Sequence, residues 1–134
     1  MDIKTAFKQY LTIKNYQFSV DNDFITFKHD GWNMVLVSDN DPYYFRLVLP
    51  RLISITDENA NALMKQSLLL SGEYKVAKAV LFQNDIWIFF EEILSDYDFK
   101  NYELFNQAIV ILSSFAKDIK DFEMTQGETR QNEP

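Results

Sequence analysis

The stretch "KVAKAVLFQNDIWIFFEEIL" runs from Lys75 to Leu94. Its polar break "QND" (Gln83–Asp85) is the kind of segment that turns a hairpin, which predicts strands over Lys75–Phe82 and Ile86–Leu94. A half-buried strand alternates apolar and polar residues. These two do not: Val76, Ala77, Ala79, Val80, Leu81 and Phe82 stand in nearly unbroken series, and Ile86 to Phe90 follow. Continuous apolar strands belong to sheets covered on both faces. A chain of 134 residues has few helices for that purpose. The pattern therefore points to another subunit on the second face.

Working outward, "FITFKHDGWNMVLV" (Phe24–Val37) reads as an earlier hairpin, with strands over Phe24–Lys28 and Trp32–Ser38. His29-Asp30-Gly31 forms its turn, where Gly accepts positive φ. "SDNDP" makes the next turn, and Tyr43–Leu49 the next strand. Pro50 removes a ladder donor and marks a strand end or an edge. Tyr16, Phe18 and Val20 alternate with polar residues in a short extended segment before a turn at Asp21–Asp23.

Helices flank these strands. Ile3, Phe7, Tyr10 and Leu11 fall at helical spacing. In "SITDENANALMKQSLLLSG", Thr56 or Asp57 is placed to cap a helix, with Leu63, Met64, Ser67 and Leu70 on one face and Gly72 at the end. The last helix is capped by Ser95, Asp96 or Asp98 and carries a wide apolar stripe from Leu104 to Phe122. The prediction is an α+β fold: one mostly antiparallel sheet of five to six strands with three helices, in the order α-β-β-β-α-β-β-α. Residues 1–123 form a single domain, and residues 124–134 a disordered tail without apolar residues from Thr125 onward.

Composition narrows the function. The chain has no cysteine, which excludes disulfides, thiolate zinc sites and thiol catalysis and suits a reducing compartment. The opening "MDIKTAFKQYL" lacks the apolar core of a secretory signal. No run approaches the ~18 apolar residues that span a bilayer. A cytoplasmic protein is expected. Thirteen Lys plus Arg against 20 Asp plus Glu leave a net charge of −7, which argues against nucleic acid and anionic membranes as partners. Aromatics reach 16%, with 12 Phe. Either the core is unusually rich in Phe, or some rings line a second buried surface.

Candidate chemistry is sparse. Asp39 and Asp41 are spaced to share a hard cation, but Pro42, Tyr43 and Tyr44 follow where further oxygen ligands would be needed. The spacing reads as an Asx turn that launches a strand. Asp21 with Asp23, and Asp96 with Asp98, read as turn and cap residues. His29 is the single histidine, and no Gly-x-Ser-x-Gly elbow accompanies it, so it reads as a solvated turn residue. Glu91 and Glu92 fall on opposite faces of a strand, one facing solvent and one placed to pair with Lys75, Lys78 or Arg46. With 3 glycines and no Gly-rich loop, phosphate cradling has no support. No catalytic, cofactor or metal residues are assigned.

The element order, size and acidity resemble the class I type III secretion chaperone fold. "FITFKHDGWNMVLV", "DNDPYYFRLVLP" (Asp39–Pro50) and "KVAKAVLFQNDIWIFFEEIL" resemble the YbjN-like family more narrowly. That family's acidic-Pro turn, aromatic-Arg-Leu strand, Lys-Val-Ala-Lys strand and Trp-bearing strand have counterparts in Asp41-Pro42, Phe45-Arg46-Leu47, Lys75–Lys78 and Trp87 with Glu91 or Glu92. The resemblance covers about Ile3 to Phe122. It implies a bacterial, non-catalytic, homodimeric interaction module that holds a segment of a client protein on apolar patches. Leu68, Leu69, Trp87, Phe89, Phe90, Tyr43 and Phe45 are the candidate dimer or partner interface. Two other readings stand beside it: a regulatory subunit of a larger complex, and a small hydrolase or ligand-binding protein built on Glu91, Glu92, Asp39 or Asp41.

Overall fold

The computed structural model describes residues 2–38, 41–74, 76–94 and 102–132. Its elements are α1 (Ile3–Ile13), β1 (Phe18–Asp21), β2 (Phe24–His29), β3 (Trp32–Val37), β4 (Tyr44–Ser54), α2 (Ala60–Glu73), β5 (Ala77–Phe82), β6 (Asp85–Ile93) and α3 (Glu103–Asn132). The strands form one six-stranded sheet in the order β1-β2-β3-β4-β6-β5. Every neighbouring pair is antiparallel. The α+β fold is as the sequence predicts, with one added strand: the extended segment around Phe18 is β1, paired with β2 from Phe18↔Phe27 to Asp21↔Phe24.

Short-range chemistry sets the turns. Asp30 and Gly31 both take positive φ (49° and 83°) between β2 and β3, and Gln83 and Asn84 do so (52° and 66°) between β5 and β6. Two successive left-handed residues give the turn whose twist matches the flanking strands. Asp2 caps α1, its carboxylate accepting from the Thr5 N–H at 2.7 Å. Before α2, Thr56 and Asn59 bond reciprocally. The Thr56 N–H donates to Asn59 Oδ1 at 2.7 Å, the Asn59 N–H donates to Thr56 Oγ1 at 3.3 Å, and Asn59 Nδ2 donates to the Ser54 carbonyl at 3.1 Å. Thr56 thus organises the turn, and Asn59 is the cap residue.

Asn59 thus replaces the expected Thr56 or Asp57 as cap, and three further sequence readings are corrected. Pro50 does not end its strand: β4 runs on to Ser54 through a bulge, the register moving from Leu49↔Ile88 to Ile53↔Ile86, with Arg51 at φ 50°. A bulge is where a central strand tolerates proline. Gly72 does not follow α2 but lies in its last turn, and Tyr74 is the C-cap. The third correction concerns the tail. The backbone of α3 continues through residues 125–132, because Gln, Glu and Arg extend an already nucleated helix readily. The Ser95, Asp96 and Asp98 caps lie outside the described residues.

The three described helices pack on one face of the sheet. That face supplies Ile25, Phe27, Met34, Leu36, Phe45, Leu47, Leu49, Ile86, Ile88 and Phe90, all buried. Phe7 of α1 reaches Phe27 (5.6 Å between ring centroids), Phe45 (6.0 Å) and Phe105 of α3 (5.1 Å), and Phe45 meets Phe90 at 5.9 Å. The width of the α3 stripe follows from this packing. One helix faces the sheet, α1 through Phe105 and Tyr10 (5.7 Å), and the end of α2 through Phe115 and Tyr74 (4.9 Å). Much of the aromatic content is therefore core. Among the described residues no helix is long and apolar enough to cross a membrane.

Candidate functional site: the open face of the sheet

Period-two alternation sends the remaining strand side chains to the face that none of the described helices covers. One row crosses it as Thr26↔Val35↔Val48↔Phe89↔Lys78. On one side of that row lies a charged one. Arg46 sits opposite Glu91, whose carboxylate takes Arg46 Nη2 at 3.4 Å and Lys78 Nζ at 3.3 Å. On the other side Trp87 stands opposite Val80, with Phe82 edge-on to its ring at 5.3 Å. The solvent face of an antiparallel sheet is ordinarily polar. Here its middle is apolar, and Val48 is only 2% exposed on a side with none of the described helices, sheltered by its cross-strand neighbours.

The apolar part forms a groove of about 420 Å³ lined by Phe24, Val35, Val37, Arg46, Val48, Pro50, Arg51, Trp87 and Phe89. The β4 bulge lies between Leu49 and Ile53, and its Pro50 and Arg51 line the groove. The Arg46 guanidinium lies 5.1 Å from the Tyr44 ring centre and 5.9 Å from that of Phe89. Its Nε and the indole Nε1 of Trp87 are both covered and have no hydrogen-bond partner among the described residues. Burial in this face pushes the Glu91 carboxyl above its ordinary value, although two cations stand beside it. Over β1, β2 and β3 the same face turns polar, and Ser19, Thr26, Lys28 and Asn33 line a wider depression of about 600 Å³.

The expected interface residues separate into three groups. Phe45 and Phe90 are in the core, 0% and 1% exposed, and present nothing to a partner. They alternate with Arg46 and Glu91, so they point to the helices. Trp87 and Phe89 are half-buried on the open face. Leu68 and Leu69 are exposed, at 74% and 55%, on the outer side of α2, which lies on the other side of the sheet from Trp87. Tyr43 is exposed in the turn before β4. The sequence reading missed Val35, Val37, Val48 and Arg51. Alternation within Trp32–Val37 carries a signal for the two valines of β3; the bulge that presents Arg51 does not.

The described candidate catalytic groups are divided between the two faces of β6 and a turn. Asp41 Oδ1 accepts from the Tyr43 N–H at 2.9 Å, the Asx turn expected there, while Asp39 lies outside the described residues. Glu91 is on the open face, and Glu92 stands opposite Phe45. His29 ends β2 and is not a free turn residue. Its Nδ1 meets the Tyr16 hydroxyl at 2.6 Å and its Nε2 meets Asp30 at 3.3 Å. No family model, no curated protein and no solved structure matches the chain.

Proposed function

We propose that the chain is a non-catalytic, chaperone-like interaction module, working in the cytoplasm, which holds a segment of another protein on the open face of its sheet. The observation that carries this reading is the unpartnered apolar face itself. Val35, Val48, Phe89, Trp87 and Val80 run across four strands, and none of the described helices lies over them. Contiguous apolar surface on an otherwise acidic protein marks a binding site. A face is favoured over an edge, because the backbone N–H of Ala79 on the outer strand β5 is already taken by Ser71 Oγ of α2 at 2.9 Å. Membership of the YbjN-like family, with its type III secretion chaperone-like fold, belongs to the same proposal and is supported by the order of helices and hairpins.

Homodimerisation is the second part, and the outer side of α2 is the surface for it. Leu68 and Leu69 are exposed there beside Met64. Absolute mass by light scattering behind a sizing column tests it. The wild-type chain is expected near twice 15.8 kDa, and Leu68→Glu with Leu69→Glu is expected at the monomer mass with an unchanged circular dichroism spectrum. A monomeric wild type overturns the dimer. For the open face, a protein that co-purifies from the native cell with the wild-type chain should be lost with folded Phe89→Asp. Retention by that variant overturns the site.

A further inference from the structure

We infer that the open-face groove selects an acidic-apolar protein segment, one that places a bulky aliphatic or aromatic side chain close to an Asp or Glu. This rests on the reading of that face as a docking surface and names the chemistry it recognises. Among the described residues the groove's charged lining is Arg46 and Arg51; Arg46 already shares the Glu91 carboxylate at 3.4 Å from outside the lining, so Arg51 is the cation open to a ligand. Arg51 makes no ion pair among the described residues. Arg46 and Trp87 each carry a covered N–H without an acceptor among the described residues, so hydrogen-bonding capacity at the groove wall is left unused. The chain as a whole has net charge −7, so a cationic apolar groove runs against its general charge. A carboxylate against the Arg51 guanidinium gains charge-assisted, bidentate bonds, and its neighbouring apolar side chain fills the space over Val48. A free small acid is the poorer occupant. The apolar stripe spans β3, β4, β6 and β5, three strand spacings or about 14 Å, which is the reach of a chain segment rather than of a small ligand.

The test uses three fluorescein-labelled peptides with Ser spacers and fluorescence anisotropy on the full-length chain. One carries Leu, Asp and Phe at alternate positions, the second has Asn for Asp, and the third has Ser for Leu and Phe. The Asp peptide is expected to bind about tenfold more tightly than the Asn peptide, the discrimination that a charge-assisted bond gives. The Ser peptide is expected to bind more weakly still. Arg51→Gln, remote from the Glu91 pair, should reduce the Asp preference to about twofold, and Arg51→Lys should recover part of it. Equal affinity for Asp and Asn peptides overturns acid selection; if that shared binding is lost in Phe89→Asp, the docking face itself stands. An Asp preference that persists in Arg46→Gln/Arg51→Gln also overturns the inference. Absence of binding by all three peptides overturns it as well. A halved mass for Phe89→Asp in light scattering would show that a second copy occupies the groove, which overturns it too.

Discussion

Phe89 and Phe90 are neighbours on one strand with the same side chain, and they belong to different parts of the molecule. Phe90 is 1% exposed and packs edge-on against Phe45 under the helices. Phe89 points the other way, opposite Val48, beneath the Arg46 guanidinium, on the face that the described helices leave open. One peptide step separates a residue that holds the fold from one available to a partner. The comparison extends along the whole sheet. The helix side is closed by interlocking rings, and the open side is an apolar groove edged by arginines.

The comparison can be broken by mutation. Phe90→Ala should lower unfolding free energy by about 3–5 kcal/mol, the usual loss for a buried ring, read from the urea midpoint. Val48→Ala is next, at about 1.5 kcal/mol for two methyl groups that neighbours on the open face keep dry. Phe89→Ala should cost about 1 kcal/mol, because a half-buried ring gives up roughly half of its transfer free energy. Equal losses at positions 89 and 90 would erase the distinction between the faces.

The smallest effect concerns Glu91 and sharpens the electrostatics. Burial raises its pKa in the folded chain above the ordinary 4.5. The folded state then holds the proton more tightly than the unfolded state. This contribution favours folding below pH 4.5 and is lost as pH rises through the elevated folded value. Glu91→Gln should therefore gain relative to wild type as pH climbs above about 4.5, and at pH 7 should lie within about 0.5 kcal/mol of it. A wild type that becomes steadily more stable than the variant over that window would mean that Arg46 and Lys78 outweigh burial. Urea titrations at pH 4, 5 and 7 decide it.

Much of this contrast was present in the sequence, but not sorted by face. The unbroken run from Ile86 to Phe90 says that both faces of β6 are apolar, and alternation assigns Ile86, Ile88 and Phe90 to one side and Trp87 and Phe89 to the other. Counting rings without that assignment put Phe45 and Phe90 at the interface. Leu68 and Leu69 are on the surface as expected, and the Glu91 partners Lys78 and Arg46 were among those named. The turns were legible because Asp30-Gly31 needs left-handed backbone, and the gap at Gln83–Asp85 separates two apolar runs. The β4 bulge was not, because a proline followed by apolar residues reads equally well as a strand end. The registers that bring Val35, Val48 and Phe89 into one row are set by pairings distant in the chain, for which local pattern carries no signal.

The most direct test of the two-face account is one protein measured twice. Folded Phe89→Asp is compared with wild type for urea stability and for affinity toward the Leu-Asp-Phe peptide. The account predicts a stability within about 1–2 kcal/mol of wild type and loss of peptide binding. A variant that unfolds as readily as Phe90→Ala, or that binds the peptide as wild type does, would contradict it.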